Sequence, residues 1–200
     1  MRAFVSVVVF LAAVFGQANS LTCNFCKDLA PNCDGVSFNV TNGVQKCIWG
    51  KENNTLRGSE IITAFRYFLD PSKPDICGQT LFLTTEGFYL SFSYDCCETD
   101  DCNDGIITGP VIDLEPSGIK CPTCLTTVEN EICVPTKNIT CTGNQGQCVF
   151  FKGTAKRPGQ DAQYYNFQGC VSTGGCTIGL DSLPSTVPMD YELTCSTPEQ

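Results

Sequence analysis

The chain has 200 residues, among them 16 cysteines and no histidine, and its formal net charge is −9. The lack of histidine excludes Ser-His-Asp and Cys-His catalytic arrangements and a histidine-ligated metal site. The acidic balance argues against nucleic acid or anionic lipid as the partner.

The first 20 residues have the pattern of a secretory signal peptide. Arg2 precedes an apolar run too short to span a bilayer, and small residues stand at positions 18–20. We expect cleavage after Ser20, which removes one positive charge from −9 and leaves −10 on residues 21–200. The polar C-terminus, residues 196–200, argues against a membrane or lipid anchor. We therefore expect a soluble, secreted, extracellular product whose cysteines form disulfides.

Six cysteines of the first half recur in the second half at offsets of 98 to 101 residues. Such a recurrence indicates one supersecondary unit duplicated in tandem. We predict two domains, residues 21–103 (repeat 1) and residues 120–200 (repeat 2), joined by a Gly- and Pro-rich linker at residues 104–119. The equivalent positions are Cys23 and Cys121, Cys26 and Cys124, Cys33 and Cys133, Cys47 and Cys148, Cys77 and Cys176, and Cys96 and Cys195.

The adjacent cysteines Cys96 and Cys97 close repeat 1. They follow an alternating apolar run, so they point to opposite faces of a strand and each needs its own partner. Cys97 can pair with Cys102 around a tight acidic turn, and Cys96 can reach Cys77 across a hairpin. A zinc knuckle would need a reducing compartment or histidines, and this chain suggests neither.

Two further cysteines are present only in repeat 2. Cys141 and Cys170 correspond to Val40 and Phe68 in repeat 1, and this paired replacement indicates that the two cysteines form a bond. We expect Val40 to pack against Phe68 in its place. The duplicated plan predicts the pairs Cys23–Cys47, Cys26–Cys33, Cys77–Cys96, Cys97–Cys102, Cys121–Cys148, Cys124–Cys133, Cys141–Cys170 and Cys176–Cys195.

Between the cysteines the sequence predicts strands, because β-branched and aromatic residues predominate. Residues 60–69 alone have apolar positions at helical spacing, but their repeat partner, residues 163–167, alternates like a strand, so both are predicted as strands. The fold class is therefore all-β, small and disulfide-rich. The predicted strands are residues 44–49, 60–69, 81–85, 88–94, 148–151, 163–171 and 191–194.

The Cys-x-x-Cys at the mature N-terminus, hairpins rooted in a cysteine knot and the closing Cys-Cys-x-x-x-x-Cys-Asn at residues 96–103 resemble the three-finger domain of urokinase-receptor and snake-toxin type. Two such domains in tandem are similar to gamma-type phospholipase A2 inhibitors and to sodefrin precursor-like factors, which are secreted amphibian courtship pheromones. Residues 47–56, 141–148 and 169–176 look most like the pheromones. The resemblance implies that Asn103 closes repeat 1 through backbone hydrogen bonds.

Three sequons predict N-glycosylation, at Asn39, Asn53 and Asn138, in loop-like or strand-edge positions. Asn53 is the preferred site. Lys156-Arg157 is the one dibasic pair, and because Pro158 hinders cleavage we expect an intact, exposed finger tip there. The candidate binding residues are Trp49, Arg57, Lys156, Arg157, Tyr164 and Tyr165.

The carboxylates are scattered on loops with no sign of a pocket that would shift a pKa, so we predict that the protein is not an enzyme. No catalytic, cofactor or metal site is predicted, and the oligomeric state is open. The main functional prediction is a courtship pheromone of the sodefrin precursor-like type, read by a chemosensory receptor. The alternative is an inhibitor that sequesters a secreted phospholipase A2. Both use the same scaffold, so function depends on the surface.

Overall fold

The computed structural model describes residues 20–198 except residues 42, 74 and 76. The predicted signal peptide lies outside the described residues, apart from Ser20. The strands are β1 (Leu21–Asp28), β2 (Val36–Val40), β3 (Cys47–Asn54), β4 (Ile61–Phe68), β5 (Thr80–Thr84), β6 (Tyr89–Cys97), β7 (Pro116–Thr126), β8 (Lys137–Thr142), β9 (Gln147–Lys156), β10 (Gln163–Val171) and β11 (Val187–Ser196). Short helical turns are α1 (Gly175–Ile178) and 3-10 turns at Leu56–Gly58, Cys102–Asp104 and Leu180–Ser182. The predicted all-β class is confirmed.

The strand prediction for residues 60–69 is confirmed by β4, which pairs with β3 along its whole length. The strands β1, β2, β7 and β8 are absent from the sequence prediction, because cysteine and polar residues interrupt their apolar alternation. No helix in the described part of the chain is long and apolar enough to cross a membrane.

Repeat 1 consists of three antiparallel hairpins, β1–β2, β3–β4 and β5–β6, and β3 also pairs with β6. Repeat 2 has the hairpins β7–β8 and β9–β10, and β11 alone represents the third finger by pairing with β9. The two repeats join in one sheet because β5 pairs with β10, with Thr84 opposite Cys170 and Leu83 opposite Val171.

One hydrophobic core serves both repeats. Leu81, Leu83 and Phe92 of repeat 1 are each at most 1% exposed and belong to the same buried cluster as Phe151 and Phe167 of repeat 2. The rings of Phe88 and Phe167 meet edge to face across the boundary, with centroids 5.1 Å apart. Because the apolar surface of each repeat is buried against the other, the repeats form one packed body.

Eight disulfides join the same pairs of cysteines that the duplicated plan predicts. Their Cα–Cα distances of 5.4 to 6.0 Å lie within the usual range for a disulfide. In repeat 1, Val40 and Phe68 pack against one buried cluster together with Cys23 and Cys47. The apolar pair thus occupies the region where repeat 2 has the Cys141–Cys170 bond.

Asn103 closes repeat 1 as the resemblance implies. Its side chain is fully buried, accepts a hydrogen bond from the Asn24 backbone N–H (2.8 Å) and donates to the carbonyls of Asn24 (2.9 Å), Ile48 (3.1 Å) and Tyr67 (3.3 Å). One amide therefore ties β1, β3 and β4 together.

The segment between the repeats lies against repeat 1. Ile107 is 2% exposed and packs against Cys33, Ala64 and Trp49, and the guanidinium of Arg66 donates to the Gly105 carbonyl (2.7 Å). Residues 116–119 of the predicted linker belong to β7. These contacts hold the segment against repeat 1, so it does not act as a free pivot between the repeats. The domain limits at residues 103 and 120 stay a prediction.

Candidate protein-binding surface

The prediction that Arg157 lies on an exposed finger tip is wrong, because its side chain is only 2% exposed. Arg157 follows β9, and its guanidinium reaches into repeat 1, where it donates to the backbone carbonyls of Asn54 (2.8 Å), Leu56 and Ser59 (2.9 Å). Burial lowers its pKa. A guanidinium offers five donors in a planar fork, so it can satisfy several carbonyls of one turn at once. Arg157 is thus a link between the repeats.

The prediction that Tyr165 is an exposed contact residue is also wrong, because its side chain is 3% exposed. Its hydroxyl accepts a hydrogen bond from Arg57 Nε (3.3 Å), and the same guanidinium donates to the Asp161 carbonyl (3.0 Å). The structure therefore brings Arg57, Arg157 and Tyr165 together at the boundary between the repeats, where they stabilise the fold.

The remaining predicted contacts differ in exposure. Lys156 is exposed, whereas Trp49 and Tyr164 are half-buried. Trp49 packs against the cluster around Ile107, so part of its ring belongs to the core of repeat 1. Of the six candidate binding residues, Lys156 and Arg57 are the two that are classed as exposed.

Glu52 is a buried acid that the sequence reasoning missed. It is 1% exposed in the middle of β3, and its carboxylate accepts hydrogen bonds from the backbone N–H groups of Ser185 (2.8 Å) and Thr186 (3.2 Å) and from the Thr186 hydroxyl (2.5 Å). Asn54 donates to the same carboxylate (3.3 Å) and to the Thr186 hydroxyl (2.7 Å). The alternation of buried and less buried residues along β3 places Glu52 on the core face, and the two-residue period of a strand is the sequence signal that could have predicted its burial.

The sequons differ in their positions. Asn39 and Asn138 are exposed, in β2 and β8. Asn53 does not lie in a loop or at a strand edge, because β3 is paired on both sides and Asn53 lies opposite Ile62 and Ser91. Glycan occupancy at all three sequons stays a prediction.

The three segments that resemble the pheromones contribute to the boundary between the repeats. Residues 47–56 contain Glu52 and Asn54, and residues 141–148 contain Gln145, which is fully buried and donates to the Phe82 carbonyl (3.3 Å). In residues 169–176, a side chain at Gly169 would clash with the carbonyl oxygen of Thr84. These residues are fixed by the scaffold, so their similarity does not distinguish one function from the other.

A groove of three adjoining hollows crosses from repeat 1 to repeat 2. The first, the aromatic hollow, has a volume of about 530 Å³, and the second, the junction hollow, has about 360 Å³ and shares Phe68 and Asp70 with it. The third has about 410 Å³ and shares Lys73 and Asp181 with the junction hollow. Both repeats thus contribute to one concave surface.

Aromatic rings dominate the repeat 1 side of the groove. The centroid of Phe25 lies 5.3 Å from that of Phe38, 4.9 Å from that of Tyr67 and 5.5 Å from that of Phe68. Phe38 is 55% exposed and Tyr67 is 47% exposed, which is unusual for rings of this size. Leu183 and Pro184 add apolar surface from repeat 2.

The charged groups of the groove lie between these apolar parts. Lys27, Asp70, Lys73 and Asp181 line the junction hollow, and all four are exposed. Hydrogen bonds from the Ser72 hydroxyl (2.7 Å) and backbone N–H (2.9 Å) lower the pKa of Asp70, so its carboxylate is charged at neutral pH. Apolar rings with a few charged groups are typical of a protein-binding surface.

No protein-family model matches the chain, but comparison with known proteins finds relatives. Phospholipase A2 inhibitor LNF1 of Lachesis muta muta is 25% identical over 177 residues, which is 85% of this chain and 83% of that protein. Protein RoBo-1 of Rattus norvegicus is 29% identical over 126 residues, which is 62% of this chain, and the chain spans only half of the length of RoBo-1. The crystal structure of mouse TEX101 covers 88% of this chain and 97% of that chain at 18% identity, with a TM-score of 0.35.

The resemblance to phospholipase A2 inhibitors is confirmed by these relatives, whereas the pheromone interpretation receives no support from them. Relatives that are named inhibitors fit a binding protein rather than an enzyme. The disulfides fit an oxidising, extracellular setting. The chain is therefore a disulfide-rich protein of the three-finger fold, similar over both of its repeats to phospholipase A2 inhibitors.

Proposed function

We propose that this chain is a secreted, non-enzymatic protein that binds and inhibits a secreted phospholipase A2. The observation that carries the proposal is the extent of the match to LNF1, which covers 85% of this chain and therefore both repeats. A match confined to one repeat would support only the three-finger scaffold, which serves many functions.

The groove is the surface on which we place the contact. Its three hollows are lined by residues of both repeats, and the repeats are held together by the shared core, Arg157 and Glu52. A surface that is already in its binding geometry loses little conformational freedom on association, which favours affinity. The exposed rings of Phe38 and Tyr67 supply the large, rigid side chains that usually dominate binding energy.

Inhibition then follows from steric coverage of the enzyme and needs no chemistry from this chain. A stable complex of this kind buries about 1,600 Å² of surface in total, or roughly 800 Å² on each partner. An area of that size extends beyond any one hollow and requires contacts from both repeats. The acidic charge of the chain would accelerate association with a basic enzyme.

The proposal is tested by biolayer interferometry with the purified, non-reduced protein against a panel of secreted phospholipases A2. We expect at least one enzyme to bind with nanomolar affinity and to lose activity in the complex. Tyr67→Ala, which removes a half-exposed ring from the junction hollow without changing the charge, is expected to weaken binding at least about tenfold, whereas Ile132→Ala, an exposed apolar control outside the described groove, is not. The absence of binding across the panel would overturn the proposal.

A further inference from the structure

The aromatic hollow lies where repeat 1 departs from the duplicated plan. In repeat 2 this region is closed by the bond between Cys141 and Cys170, both of which are fully buried. Repeat 1 has Val40 and Phe68 instead, and beside them the surface opens into a hollow of about 530 Å³. Val40 and Phe68 take the place of the disulfide, and the scaffold does not require the open hollow beside them, because further packed apolar side chains could fill that space.

The walls of this hollow are aromatic and aliphatic. Phe25, Phe38 and Phe68 line it with Val40 and Val44, and Phe25 lies in contact with both other rings. The face of an aromatic ring is the negative part of its quadrupole, so a cation placed over the ring is attracted to it.

One carboxylate lies at the rim. Asp70 is the single ionisable side chain among the described residues that line the hollow. Both hydrogen bonds from Ser72 end on Oδ1, and no described residue donates to Oδ2. An ionised carboxylate beside aromatic walls is the chemistry that recognises an organic cation.

Repeat 2 lacks every part of this arrangement. The strand register identifies the equivalent positions. Ile139 of repeat 2 is equivalent to Phe38, because each lies opposite the first cysteine of its repeat, Cys121 or Cys23. Cys170 is equivalent to Phe68, because they lie opposite the equivalent cysteines Cys148 and Cys47. Two residues after Cys121 stands Thr123 where repeat 1 has Phe25, and two residues after Cys170 stands Ser172 where repeat 1 has Asp70. The rings and the carboxylate therefore belong to repeat 1 alone, so the duplicated fold does not require them.

We propose that the aromatic hollow binds a basic side chain of the protein partner, a guanidinium or ammonium group that lies over the rings and pairs with Asp70. The identity of that partner as a phospholipase A2 rests on the function proposed above. The net charge of −9 favours a basic partner in the same way at long range.

The hollow is tested with n-butylguanidinium as the probe and n-butylurea as its neutral isostere, in proton NMR titrations of the intact secreted protein. Ring currents move the butyl resonances of a bound probe upfield. We expect n-butylguanidinium to bind about two- to fivefold more tightly than n-butylurea. Asp70→Asn and Phe38→Leu are each expected to weaken probe binding at least about twofold, and the exposed control Asp161→Asn to leave it unchanged.

Asn39 also lines the hollow, so a glycan on this residue is the competing occupant. The titration is therefore repeated with Asn39→Gln. Equal binding of the two probes, binding unaffected by both hollow variants, or binding only after Asn39→Gln would overturn the proposal. Preferential binding of the cation that both hollow variants weaken would support it.

Capture of phospholipase A2 by the same variants separates the two proposals. If the probe binds in the hollow but no phospholipase is captured, the proposed function is wrong while the cation site is supported. If a phospholipase is captured with equal affinity by wild type, Asp70→Asn and Phe38→Leu, the function is supported and the hollow is not the site for the partner's basic side chain.

Discussion

Replacing Arg157 with methionine removes one of the links between the repeats while keeping most of the apolar volume of the side chain. The guanidinium donates to three carbonyls of repeat 1, those of Asn54, Leu56 and Ser59. The first two bonds are buried and the third is partly buried, so the carbonyls lose a donor in a place that water enters poorly. Each unsatisfied buried acceptor costs about 1–3 kcal/mol, and relief of the guanidinium desolvation offsets part of that sum.

We therefore expect Arg157→Met to lower the free energy of unfolding by about 3 kcal/mol. For a chain of this size that corresponds to a decrease in Tm of roughly 6–12 °C. The assay is differential scanning calorimetry of the oxidised protein at neutral pH. Wild type is expected to unfold in one transition, because the two repeats share one core.

Lys156→Met is the matched control, since Lys156 is the preceding residue and its side chain is exposed. We expect this variant to stay within about 0.5 kcal/mol of wild type. If the Tm of Arg157→Met lies within about 2 °C of wild type, the loss of unfolding free energy is under about 1 kcal/mol, which would refute the reasoning. An equal decrease in the Tm of the control would refute it as well. Two well-separated transitions in wild type would refute the shared core itself.

Three further predictions concern other parts of the fold. Glu52→Gln places an amide NH2 against backbone donors and is expected to cost about 1–3 kcal/mol in urea unfolding, whereas the exposed control Glu192→Gln is neutral; equal stabilities would contradict this. Burial, followed by a hydrogen bond to Asp181, raises the pKa of Tyr191 to about 12, so its contribution to stability is complete below pH 10 and is lost as pH rises from 10 to 12. Tyr191→Phe should abolish that loss and one absorbance step near pH 12, and an unchanged titration would contradict the assignment. Cys141→Ser with Cys170→Ser opens a loop with a sequence separation of 29 and should cost about 2–4 kcal/mol by calorimetry, with no measurable loss as the contrary result.

The cysteine pairing and most central strands could be predicted from the sequence because both are local or repeated signals. The duplication supplies 12 of the 16 cysteines with a counterpart in the other repeat. Apolar alternation marks β10 as a strand, and β4 is predicted as a strand because it is the repeat partner of β10. Asn103 was also predictable, since its place after the last cysteine of repeat 1 is part of the resembling motif. These features depend on contacts between residues of the same repeat, which the sequence of that repeat can indicate.

The boundary between the repeats could not be predicted in the same way. The pairing of β5 with β10 involves only two residue pairs, and the burial of Arg157 depends on a turn of repeat 1 about one hundred residues away in the chain. A dibasic pair before proline normally indicates an exposed turn, and Lys156 follows that expectation. Its neighbour Arg157 does not, because three backbone carbonyls compensate for its desolvation.

The groove escaped prediction because its walls come from separate parts of the chain. Phe25, Phe38 and Phe68 lie on three different strands, and Asp70 follows the third. In the sequence each ring has the appearance of a core residue. Only the packing shows that Phe38 is more than half exposed beside an open hollow.

Hydrogen–deuterium exchange of the protein with and without a captured phospholipase A2 tests most directly where the partner binds. We expect reduced exchange of the backbone amides at residues 36–40, 67–73 and 181–183, which line the groove in both repeats. Exchange at residues 156–160, at the turn after β9, should be the same with and without the enzyme. Protection at that turn with unchanged exchange along the groove would contradict the account.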